Sequence, residues 1–120
     1  QGVRDQLMLY LLEKNEFDKF KKYSRKYSED GGVYTNFNRA LFAFKKEGEC
    51  DRSNELLKTA IEDNKFVLPM LVSSKVQTEF PESYGIGDKN EAKYYSVFSQ
   101  KIWQQTAGAV KWLMKFRHSV

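Results

Sequence analysis

Few side chains in this sequence are of the kind that attack, ligate or transfer a proton near neutral pH. Cys50 is the only cysteine and His118 the only histidine. Cys50 follows a turn and precedes a helix start, where a thiolate is stabilised; the plainer reading is a half-buried structural thiol. His118 stands between Arg117 and Ser119 near the chain end. A Ser-His-Asp arrangement needs a rigidly held imidazole, and chain ends seldom hold one. A single cysteine forms no intrachain disulfide and no cysteine-based zinc site. Gly85 and Gly87 bracket Ile86 in the manner of a phosphate loop, but no Gly-Lys-Ser/Thr follows and no strand precedes. They read instead as a turn delivering the chain to Asp88. Acidic residues alternate with Lys and read as solvated surface. The sequence therefore assigns no catalytic residue, cofactor or metal ligand, and predicts a protein that is not itself an enzyme.

Binding chemistry is better represented. Lys19, Lys22 and Lys26 share one helical face, with Lys21 and Arg25 adding to its charge. Such a face meets phosphates or an acidic peptide, or is simply solvated. Tyr94, Tyr95, Phe98, Trp103 and Trp112 are the aromatic types that stack bases, but their helical spacing suits a core. Lys and Arg number 20 against 16 Asp and Glu in 120 residues, a net charge of +4. That surplus divides evenly between the two halves, whereas nucleic-acid binders concentrate it. No stretch has the length of a membrane span and no signal peptide is visible. The expectation is a cytoplasmic protein without a membrane partner. The chain begins at Gln1, without Met and already in a helical pattern, so it is expected to be a piece of a longer protein.

Hydrophobic spacing predicts an all-helical fold of about six or seven antiparallel helices. Leu7, Met8, Leu11 and Leu12 stripe a helix over residues 3–15. A second helix over 17–28 buries Phe17, Phe20, Tyr23, Ser24 and Tyr27, and Gly31-Gly32 turns the chain. Between residues 34 and 64, two helical patterns flank Gly48. Phe37, Ala40, Leu41 and Phe44 form the apolar face of the first. Asp51 is the expected N-cap of the second, whose face is Leu56, Leu57, Ala60 and Ile61. Val67 to Val72 is a short apolar run with Pro69 in its first turn. Residues 73–87 lack a period and are expected to pack down through Phe80, Tyr84 and Ile86. Asp88, with Glu91 three residues on, caps the longest helix, and Thr106 is the expected cap of the last.

A shift of 33 residues superposes the first two hairpins. Leu7 falls on Ala40, Met8 on Leu41, Leu11 on Phe44 and Tyr23 on Leu56, while Asn15 meets Gly48 at the turn. The period is close to the tetratricopeptide length of about 34. The domain is accordingly divided into repeat 1 (about 1–33), repeat 2 (about 34–66), a linker (67–87) and a terminal helix pair (88–117). In a stack of such pairs the first helices line a concave groove. The register places Asp5, Leu9, Leu12, Asn38, Phe42 and Lys45 there. Leu9 and Phe42 occupy equivalent places and would be exposed apolar groups, a hot spot rimmed by polar side chains. The alternative is that the residues before Asp88 fold back and cover it.

The last third carries a resemblance. The stretch Y-G-I-G-D-K-N-E-A-K-Y-Y, followed by W-Q-Q-T-A-G-A-V-K-W-L, is similar to a terminal box of a group of tetratricopeptide-like proteins. That group includes bacterial proteins described as similar to suppressor of tumorigenicity 7, and others with a SEC-C zinc motif. N-K-F-V-L-P resembles the link after the last ordinary repeat in that group, and the likeness spans roughly residues 34–116. Ala107 departs from the Thr-Pro-Gly-Ala found there. The resemblance implies an architecture and no activity, and the SEC-C cysteines are absent. Chaperone-binding relatives use a Lys and Asn clamp for a C-terminal carboxylate; Asp5 and Leu9 stand in those places, so that partner is not expected. The leading expectation is an interaction module that binds a peptide or protein segment, or docks on another domain of its own chain. The rivals are a nucleic-acid-binding helical repeat using Lys19, Lys22, Arg25 and Lys26, and an accessory domain of an enzyme whose active site lies elsewhere.

Overall fold

A computed structural model describes residues 2–26 and 32–119. Among them every regular element is helical: α1 Gly2–Glu13, α2 Phe17–Lys26, α3 Gly32–Glu47, α4 Asp51–Asp63, α5 Val67–Val72, α6 Lys89–Gln105 and α7 Ala109–Met114, then a short 3-10 turn. The end of the second predicted helix, with Tyr27 and Gly31, lies outside the described residues.

The two predicted hairpin turns share a left-handed residue but close with different hydrogen bonds. Asn15 has φ 58° and Gly48 φ 75°, both left-handed. Glycine takes that conformation without penalty and asparagine tolerates it. At the first turn Glu16 N–H donates to Leu11 O at 2.9 Å and Asn15 N–H to Leu12 O at 3.2 Å, a Schellman closure. At the second, Gly48 N–H donates to Phe44 O at 2.8 Å. Helix α4 starts one residue earlier than Asp51 suggested. Cys50 is its N-cap, because buried Ser53 accepts the Cys50 N–H at 2.9 Å and its hydroxyl donates to Gly48 O at 2.8 Å. Ala40 and Ala60 are fully buried, and α3 and α4 pack along their lengths.

Asp88 caps α6 as its type and position predict. One carboxylate oxygen accepts Glu91 N–H and the other Gly85 N–H, both at 2.7 Å. Thr106 does not cap α7. Its hydroxyl turns back to Ile102 O at 2.8 Å and closes the end of α6, a bond that Thr makes readily with the preceding turn. Gly108, at φ 81°, is the α7 N-cap instead, so α7 is six residues long and shorter than predicted.

The third helical pair does not stand apart. Helix α6 packs against α5 and α7, and also against both α1 and α3. Trp103 and Trp112 are buried and stack on each other at 6.3 Å between centroids, and Trp112 lies on Phe44 at 4.5 Å. A buried relay of polar groups crosses this core: Trp103 Nε1–H donates to Tyr95 Oη at 2.9 Å, and Tyr95 O–H donates to Asn38 Oδ1 at 2.8 Å. The segment 73–88 is held down at its start by Gln100, whose Nε2 donates to the carbonyls of Met70, Ser73 and Lys75 at 2.9–3.2 Å. Further along, Phe80 meets Tyr94 and Phe98, and Tyr84 stacks on Tyr94 at 4.9 Å.

Candidate functional site

Several residues expected to line a concave groove are buried. Leu9, Leu12 and Asn38, expected to face a partner, are buried at 3%, 0% and 3% exposure. Helix α6 packs against α1 and α3, with Tyr95 bonded to Asn38 and Tyr94 to Asp5. Leu9 belongs to the buried core cluster. Tyr84 and Ile86 of the segment before Asp88 also stand beside Asp5 and Asn38.

The remaining predicted groove residues are dispersed. Lys45 Nζ donates to Leu12 O at 2.7 Å across the interface between the two hairpins. Partial burial holds its ammonium below the usual lysine range, opposed by the charge of Glu13. Asp5 is half-buried and accepts from Tyr94 Oη at 3.2 Å. Burial raises its carboxyl above the ordinary aspartate range, and the Tyr94 bond opposes the rise. Tyr94 in turn is pushed up to about 12, chiefly by burial and then by the Asp5 charge. Asp5 and Asn38 line one cleft of about 250 Å³ together with Tyr34, Tyr84 and Glu91.

Phe42 faces elsewhere. Its ring stacks on Phe20 at 4.7 Å, meets the edge of Phe17 at 5.6 Å, and has Lys46 Nζ above it at 5.8 Å. It lines a second cleft of about 310 Å³ between α2, α3 and α4. The floor is Phe20, Phe42 and Leu56, and the walls are Lys21, Ser24, Arg25, Arg39 and Arg52. The sequence places each contributor by helical spacing: Lys21 and Arg25 are one turn apart on α2, Arg39 and Phe42 on α3, and Arg52 and Leu56 on α4. Of the predicted basic face, Lys19, Lys22, Arg25 and Lys26 are all exposed, and only Arg25 reaches this cleft. Arg39 and Arg52 were not singled out from sequence. Their signal was a cation one turn from an apolar residue on each of two successive helices.

The lone cysteine and the lone histidine lie far apart in the sequence. Cys50 is half-buried, with Sγ 3.7 Å from Glu47 and 3.5 Å from Ser53 Oγ. His118 is exposed in the terminal turn. No group of three His, Cys, Asp or Glu among the described residues is arranged to hold a metal ion. Among the described residues no helix is long and apolar enough to cross a membrane. No family model, curated protein or solved structure matches the chain.

Proposed function

We propose that this chain is a non-enzymatic interaction module of tetratricopeptide-like hairpins that binds a peptide or protein segment through the cleft between α2, α3 and α4. The observation that carries the reading is the cleft itself: a floor of Phe20, Phe42 and Leu56, of which Phe42 and Leu56 are only half-buried, walled by polar and cationic side chains. Apolar groups left partly open within a polar rim are the usual form of a binding hot spot. The repeat reading is supported by the left-handed residue that each turn carries, Asn15 and Gly48. A cytoplasmic setting suits a lone thiol, Cys50, in a chain without disulfides.

The test is selection of a displayed random dodecapeptide library on the folded chain, with recovered peptides mapped by amide chemical-shift changes. The reading expects changes concentrated around Phe42, Leu56 and Arg25. Peptides that map only to other faces, or no recovered peptides, count against it. Duplex or single-stranded nucleic acid that binds with a steep salt dependence, lost in the Lys22→Glu/Lys26→Glu variant, would transfer the function to the basic face of α2.

A further inference from the structure

The α2–α3–α4 cleft carries more positive charge than its apolar floor requires. Lys21, Arg25, Arg39 and Arg52 line it, and among the described residues none that lines it is acidic. Lys46 adds a fifth cation above the Phe42 ring. Arg52 has Glu47 at 3.9 Å, with both side chains substantially exposed; a pair in that setting is worth little. Like charges gathered on one concavity repel one another, and a ligand of opposite sign relieves the repulsion.

Resting on the reading above, we infer that the partner is an acidic peptide segment with a single apolar anchor, the anchor seated against Phe42 and Leu56 and carboxylates on either side paired with Arg25, Arg39 and Arg52. The volume of about 310 Å³ is that of roughly ten waters, at the lower end of ligand pockets, and suits one large side chain. Arginine guanidinium groups bind carboxylates in a planar, two-pronged way that adds direction to the charge. A nucleic acid would satisfy the cations but not the floor. Base stacking needs an open ring face, and Phe42 has Phe20 stacked on it and Lys46 above the ring.

The experiment is fluorescence anisotropy with labelled dodecapeptides carrying one Leu, Phe or Trp among six Glu. Three control sets accompany them: the anchor changed to Ser, the Glu changed to Gln, and a duplex DNA of matched charge. The acidic anchored set should bind. Binding should weaken at least tenfold on removing either the anchor or the acidic charge, and at least tenfold in an Arg25→Glu/Arg39→Glu variant whose far-ultraviolet circular dichroism is unchanged. If that double variant does not fold, Arg25→Gln and Arg52→Gln singly should each weaken binding several-fold. Equal binding of the neutral anchored set overturns the acidic specificity while leaving an interaction module in place. Equal binding of the anchorless acidic peptides or of the duplex overturns the anchor. Failure of both anchored sets overturns the inference and the function on which it rests.

Discussion

Removing the Tyr95 hydroxyl, by Tyr95→Phe, tests whether α6 belongs to the core of the two preceding hairpins. The ring stays, so little volume is lost and no large cavity opens. What disappears is the centre of the relay: Trp103 Nε1–H loses its acceptor and Asn38 Oδ1 loses its donor. Tyr95 and Trp103 are fully buried and Asn38 is 3% exposed, so bulk water does not replace either bond. Each orphaned buried group costs about 1–3 kcal/mol. Two of them, with some relaxation, give a loss of about 2–4 kcal/mol, against a total stability on the order of 5–15 kcal/mol. Urea unfolding followed by tryptophan fluorescence should show a lower midpoint at an unchanged slope. Adding Asn38→Leu removes one orphan and should recover about 1 kcal/mol, a non-additivity that a double-mutant cycle reads directly. A loss below about 0.5 kcal/mol, the scale of an ordinary surface change, would mean that the relay is not dry and that α6 does not belong to that core as described.

Gly48→Ala should cost about 1–2 kcal/mol from the left-handed backbone alone, because nothing lies within 4 Å of an added Cβ; Asn15→Gly, at the equivalent turn, should leave the urea midpoint unchanged or raise it. Asp88 is held below the usual aspartate range by the Glu91 and Gly85 amides. A carboxyl depressed on folding stabilises above its unfolded pKa, about 3.9, and that contribution is lost as pH falls through the folded value. Asp88→Asn should therefore lower the melting temperature at pH 7 and flatten its decline below about pH 4; an unaltered pH profile would remove Asp88 from that role. Gln100→Ala should speed amide exchange selectively over residues 73–77, since it frees the Gln77 amide and the carbonyls of Met70, Ser73 and Lys75, and unchanged exchange there would show that Gln100 does not hold the segment.

What was legible in the sequence follows the range of each interaction. The two turns could be read because Asn15 and Gly48 sit at the ends of apolar periods and supply the left-handed residue locally. Asp88 could be read because its cap bonds span three residues. Thr106 and Asp51 were misplaced for a related reason: a cap-forming side chain next to a helix end does not declare which backbone group it will engage. Thr106 turned back to Ile102, and Ser53 served the turn at Cys50. The burial of Leu9 and Asn38 is set at longer range. Periodicity assigns Leu9 and Asn38 to a face, but Tyr95, which bonds Asn38, lies 57 residues further along the chain. The cationic cleft was half visible, through Phe42 and Arg25. Bringing Arg39 and Arg52 beside them needs the packing of three helices, which no single helical period contains.

The bond from Tyr94 to Asp5 links residues 89 apart in sequence. In an ordinary solenoid each repeat touches only its neighbours, so the ends fray independently and folding can start anywhere. Here α6 touches α1 as well as α3, which turns an open row into a closed circuit. Neither end can peel away without breaking a contact made by the other. The chain must therefore complete a long loop before its last helix gains its main contacts, an ordering that slows folding relative to a simple row of hairpins. In exchange the hairpins should melt as one unit, with fluorescence and circular dichroism falling together.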